Sequence, residues 1–389
     1  MERFALSRMK EWKENENRKP LIIRGARQVG KTWIMKTFGQ QYFEKTAYVN
    51  FDNNARMKQV FEGDLDIERL VLSISAETGV SIEAENTLII FDEVQEVPKA
   101  LTSLKYFYEN APQYAIVAAG SLLGVALHQG TSFPVGKVDF LDLYPLNFRE
   151  FLCAMGEKQF VSMLDSCDTQ MVTVFKTKYI ERLREYYFVG GMPEVVKDFS
   201  EKKDYNRVRA IQKNLINYYQ QDFSKHAEIK LVPRLNLVWN SIPMQLAKEN
   251  KKYIYGQVRE GSRAKDFELA IQWLLDCGLI HKVQRIQKPD LPLKAYIDFD
   301  AFKLFLVDIG LLIAMTDLDA KVIIEGNKIF TEFKGSLTEQ YILQQLISDV
   351  GVIPYYYSTQ NSKGEIDFLV QGKTSVIPIE VKAEENLKA

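Results

Sequence analysis

Between Pro20 and Leu143, short apolar runs alternate with stretches in which apolar residues return every three or four positions. That alternation is the pattern of a parallel sheet with crossover helices. The runs place strands at Leu21–Gly25, Ala47–Phe51, Leu88–Asp92, Ala115–Ser121 and Val138–Leu143, and helices at Lys31–Phe38, Asp66–Thr78 and Lys99–Asn110. Ahead of them, Phe4, Leu6, Met9 and Trp12 stand among charges, as in an amphipathic helix. From Asn147 to Lys252 the strand signal stops. Runs such as FKTKYIERLREYYF and YNRVRAIQKNLINYYQQDF have helical spacing, interrupted at Gly190–Pro193. The last block carries a helix over about Gly335–Val350 and strands near Tyr355–Ser358, Glu365–Val370 and Val376–Lys382.

Composition narrows the class without choosing a function. The 389 residues exceed one ordinary core, and 46% hydrophobic with 26% charged residues is usual for a folded soluble chain. Cys153, Cys167 and Cys277 form no C-x-x-C pair, which excludes a disulfide framework or zinc ribbon and fits a reducing compartment. His128, His226 and His281 are too scattered for a metal site. No signal peptide or long apolar span is read, so a cytoplasmic protein without membrane partners is expected. The net charge of −1 argues against a uniformly basic nucleic-acid binder, yet residues 201–268 hold 14 Lys/Arg against 8 Asp/Glu. Within residues 253–285 a helix ending at Gly278 precedes the strand LIHKV, an order that resembles a winged helix-turn-helix.

The strongest chemical signal is LIIRGARQVGKTWIM, a strand, a loop and a helix start. Its loop, Gly25-Ala26-Arg27-Gln28-Val29-Gly30-Lys31-Thr32, is a complete G-x-x-x-x-G-K-[ST] match. Glycines let backbone N–H groups turn toward phosphates, and the helix N-terminus adds its positive end. Lys31 can reach the terminal phosphates of ATP, and Thr32 offers a hydroxyl to Mg²⁺. In TLIIFDEVQ, Asp92 emerges at the end of a buried strand where it can hold Mg²⁺, and Glu93 can polarise the attacking water.

The segments GARQVGKT, LIIFDEVQ, AAGS, LYPLNFREFL and YYFVGGMPE together resemble the bacterial and archaeal AAA-like ATPases with a C-terminal domain of unknown function, within the archaeal-type and STAND-like P-loop lineage. The resemblance implies an α/β P-loop ATPase core, a helical lid, a winged helix and a restriction-endonuclease-like terminal domain. Boundaries are expected at residues 1–146, 147–229, 230–294 and 295–389. It also implies that Ser121 senses the γ-phosphate or orients water, and that Pro193 of the Gly191-Met192-Pro193 element lies near the nucleotide. Where many relatives have Gly-Arg, this chain has Gly136-Lys137, so no arginine finger is assigned; Arg149 is a candidate, weighed against the plainer reading of a solvated or salt-bridged arginine.

Glu339 on a helix, Asp367 in a strand and Glu380-x-Lys382 on the next strand resemble the PD-(D/E)xK nuclease core. On adjacent strands Asp367 and Glu380 can converge on one Mg²⁺, and period-two alternation puts Glu380 and Lys382 on one face. The chain ends seven residues after Lys382, ahead of the helix and strand that usually follow, so a shortened terminal domain is expected. Two functions fit. In the first, Mg²⁺-dependent ATP hydrolysis repositions a winged-helix and nuclease-like module on nucleic acid, with DNA and a second copy of the chain as candidate partners. In the second, a STAND-like nucleotide-gated switch uses a catalytically dead nuclease fold for protein contacts.

Overall fold

The computed structural model describes residues 1–120, 133–248, 252–324, 331–359 and 364–383. It divides into two units, Arg3–Tyr144 and Pro145–Ala389, the latter taking in Met1–Glu2. Among the described residues no helix is long and apolar enough to cross a membrane.

The first unit is built on a parallel five-stranded sheet: β1 Leu21–Arg24, β2 Lys45–Asn50, β3 Thr87–Asp92, β4 Ala115–Ala119 and β5 Asp139–Asp142, in the order β2-β3-β4-β1-β5. All residues of β3 and β4 are buried, so TLIIFD and AIVAA read as unbroken apolar runs rather than alternating ones. On one face, Phe51, Phe61 and Phe91 meet edge to face with ring centroids 5.4–5.6 Å apart. The helix expected over Lys31–Phe38 runs on to Tyr42. It passes Gly39 because a Cβ there would lie 2.4 Å from the Thr46 hydroxyl of β2, so the glycine serves close packing and does not end the helix.

The second unit begins with helices at Phe148–Ala154, Lys158–Asp165, Thr169–Val174, Lys176–Val189, Pro193–Lys202, Tyr205–His226 and Val232–Leu246. Asn147 and Glu150 close a reciprocal capping box on the first. The longest buries Val208, Gln212, Leu215, Tyr219 and Phe223, a stripe at three- and four-residue steps. Gln212 within it donates to the carbonyls of Phe188 and Val189, orphan groups at the end of the helix Lys176–Val189. The turn at Gly190–Gly191 packs on Asp308, which is fully buried: the Gly191 amide donates to Asp308 Oδ2 at 2.6 Å. Gly190 has φ +74, and a Cβ there would stand 2.2 Å from Asp308 Oδ1.

Next come Tyr255–Val258, Ala264–Asp276 and a hairpin of β6 Ile280–Ile286 with β7 Ile297–Leu306. These strands share one sheet with β8 Tyr355–Ser358, β9 Glu365–Gln371 and β10 Val376–Ile379, in the order β10-β9-β8-β6-β7. The boundary expected between residues 294 and 295 therefore falls in the loop of a paired hairpin and separates no two sheets. The helix Thr331–Gln345 turns a polar face inward: Gln340 brackets the backbone of Leu306 through both its amide atoms, and Gln344 accepts from the Ile309 amide. Strand β10 stops at Ile379, short of the expected Lys382. The Val381 amide is taken by the Asp367 carboxylate at 2.8 Å, so backbone pairing ends there.

Candidate active site

The loop Gly25–Thr32 joins β1 to the helix Lys31–Tyr42. Gly25 has φ +147, and a Cβ would lie 2.1 Å from the Leu143 carbonyl beyond β5, so no other residue fits this start of the loop. Ala26 and Val29 are buried beneath it, while Arg27 and Gln28 are exposed and Gln28 takes a left-handed φ of 66. Gly30, at φ 97, opens the helix. Arg3 braces the loop from below, donating to the Val29 carbonyl at 3.0 Å and to the Tyr144 carbonyl at 2.6 Å.

Lys31 is buried, and its ammonium donates to the Gly25 and Ala26 carbonyls at 2.9 and 2.8 Å, spanning the space that the loop encloses. Thr32 Oγ1 donates to Asp92 Oδ2 at 2.7 Å, bringing the ends of the two motifs together. The Tyr48 hydroxyl from β2 reaches the same carboxylate oxygen at 2.8 Å, and burial followed by that contact raises its phenol well above the usual range. Lys36 covers the Tyr48 ring at 3.8 Å. β4 lies between β1 and β3, leaving the width of one strand between the phosphate loop and Asp92. Glu93 follows Asp92 in a left-handed conformation with φ 51, and its Oε2 accepts from Gln95 Nε2 at 2.7 Å. Gln95 in turn packs on Gly120 at the end of β4.

These residues fit ATP with Mg²⁺: Lys31 and the loop amides would hold the phosphates, and Thr32 and Asp92 would hold the ion. The ion would supply charge neutralisation across the phosphates. Glu93 has the carboxylate that a general base needs. Tyr48, Gln95 and Arg3 were not singled out in the sequence. Tyr48 was hidden as one aromatic in an apolar strand, whereas Gln95 stands two positions after Glu93, where a third polar residue beyond a buried strand was a readable signal. Ser121 lies outside the described residues.

The other expected residues lie in the second unit. Pro193 occupies the first turn of the helix Pro193–Lys202. Arg149 pairs with Asp165 and, at 3.0 Å, with Asp349. Of the nuclease-like set, Glu339 is buried and lies 3.6 Å from the Lys303 ammonium. Asp367 has its carboxyl pushed up to about 6 by burial and then by repulsion from Glu339. Glu380 and Lys382 pair with each other at 2.7 Å on the exposed side.

Residues 17–152 match the AAA domain family. The first unit has the parallel sheet and phosphate loop of a P-loop ATPase fold, and that match falls almost wholly within it. Residues 180–322 and 334–389 match two domains of unknown function (DUF8612 and DUF4143). No curated protein matches the chain. A Walker-type ATPase of Pyrococcus abyssi shares the fold at 15% identity and a TM-score of 0.50, over 81% of this chain and 95% of that one. Two more distant similarities are an Aeropyrum pernix ORC1 protein in complex with DNA (14% identity, TM-score 0.29, 80% and 91% of the two chains) and a Thermotoga maritima RuvB (11%, 0.30, 71% and 86%).

Proposed function

We propose that the chain hydrolyses ATP with Mg²⁺ at the Gly25–Thr32 loop and that turnover repositions the C-terminal unit on nucleic acid. The observation that carries the hydrolytic part is the Thr32–Asp92 hydrogen bond with Glu93 directly beside it, a pair suited to an ion and to a water activated next to it. Glu93 is the base and Lys31 the phosphate clamp; Ser121 and Pro193 are assigned to the nucleotide on resemblance. For the nucleic-acid part, the support is the cationic excess of residues 201–268 and the order of three helices and a hairpin from Val232 to Leu306, which suits a winged helix.

A second reading, a nucleotide-gated switch whose terminal fold makes protein contacts, is favoured by one observation: a buried lysine, Lys303, stands among the terminal acids. Mg²⁺-dependent ATP turnover measured with and without single- and double-stranded DNA separates the two. Stimulation by DNA that weakens steeply with salt supports the first. Nucleotide-dependent oligomerisation with no DNA affinity supports the second, and a chain with no Mg²⁺-dependent turnover sinks both.

A further inference from the structure

A nuclease-like acidic set implies a divalent ion, and the residues present do not fit one. Mg²⁺ takes oxygen ligands at about 2.0–2.1 Å in a near-octahedral shell, so its carboxylates must turn onto one point. Among the described residues no group of three or more His, Cys, Asp or Glu is arranged in that way. Glu380 is engaged with Lys382, and Asp367 Oδ2 accepts from the Val381 amide.

An ammonium stands among the acids of this set, close enough to Glu339 to pair with it and to act electrostatically on Asp367. Lys303, 1% exposed, projects from β7 with Nζ 2.5 Å from Glu365 Oε1, 3.6 Å from Glu339 Oε2 and 4.7 Å from the centroid of the Tyr356 ring. β7 is the edge strand of the sheet and pairs with β6, Val283 standing opposite Lys303, so the side chain grows from a hydrogen-bonded backbone. A buried ammonium persists only when paired, and here two carboxylates and an aromatic face surround it. A divalent cation entering beside Nζ would meet like charge at short range, with little water to screen it.

We propose that Lys303 is the resident cation of this acidic core, taking the place of a divalent ion and making the terminal sheet a metal-free module that does not cleave phosphodiesters. This deepens the switch reading, on which it rests for its biological meaning. The test is a Mn²⁺ titration of the nucleotide-free full chain, followed by electron paramagnetic resonance, on wild type, Asp367→Asn, Lys303→Met and the double variant. Wild type and Asp367→Asn should titrate alike. Lys303→Met, which keeps the stem and removes the charge, should gain a Mn²⁺ site that the double variant lacks. An Asp367-dependent site in the wild type overturns the proposal, as does a folded Lys303→Met that gains none. Should Lys303→Met fail to fold, the wild-type and Asp367→Asn pair decides by itself: equal titrations uphold the proposal, unequal ones overturn it. DNA stimulation and oligomerisation are measured separately, so the switch reading can fail while Lys303 remains the cation, and the reverse.

Discussion

Thr32 and Asp92 are 60 positions apart in sequence and share a 2.7 Å hydrogen bond at the C-terminal edge of the parallel sheet. The bond orients the carboxylate toward the phosphate loop before any ion is needed. The Tyr48 hydroxyl donates to the same oxygen at 2.8 Å, so two hydroxyls hold Asp92.

Glu93→Gln should keep ATP affinity and slow single-turnover hydrolysis at saturating ATP by about 10²–10⁴-fold, the usual loss for a general base. The amide preserves shape and an acceptor for Gln95 but cannot take a proton. A variant that turns over at the wild-type rate would move the base elsewhere.

Lys31→Ala should weaken binding of a fluorescent ATP analogue by more than about tenfold, since a charge-assisted contact is worth roughly 1.5–3 kcal/mol. The fold should tolerate the change, because the ammonium's bonds to the Gly25 and Ala26 carbonyls lie within its own loop. Equal affinity in the two proteins would dismiss the loop as the phosphate site.

Asp308→Asn tests a pH dependence. Burial pushes the Asp308 carboxyl up to about 6, against the opposing hydrogen bonds from the Gly191 and Leu311 amides and Gln344. A carboxyl raised in the folded state binds its proton more tightly there than in the unfolded chain. Its contribution to stability is therefore greatest below about pH 4 and is lost as pH rises through about 6. Asp367, also raised to about 6, acts in the same window and the same direction. Urea unfolding at several pH values should show a shallower decline from pH 4 to 6 in Asp308→Asn than in wild type; parallel curves would show that Asp308 does not titrate there.

Gly190→Ala should destabilise the second unit by at least about 1–3 kcal/mol, because its φ of +74 with ψ −166 is a glycine conformation. The new methyl would also press on Asp308. The urea midpoint reads this directly, and an unmoved midpoint would contradict the packing described.

The phosphate site was legible because its chemistry is local: eight consecutive residues form the loop, and Asp92 and Glu93 close a run of apolar residues. Strands β3 and β4 were legible for the same reason, since a strand buried on both faces writes itself as a contiguous apolar run, whereas the edge strands β2 and β5 are only partly buried. Lys303 was not, because a lysine in an apolar strand carries no mark of burial until Glu339 and Glu365 arrive from 36 and 62 positions away. Asp308 was equally silent. The extent of β10 was misjudged because a side chain, Asp367, replaced the backbone partner that period-two spacing assumes.

The sheet β10-β9-β8-β6-β7 has a practical corollary for anyone dividing the gene. A cut after residue 294 would part β6 from β7 and leave on each fragment a naked strand edge, an invitation to intermolecular pairing and insoluble protein. Separation between Tyr144 and Pro145 leaves both sheets whole, with every strand keeping its neighbours.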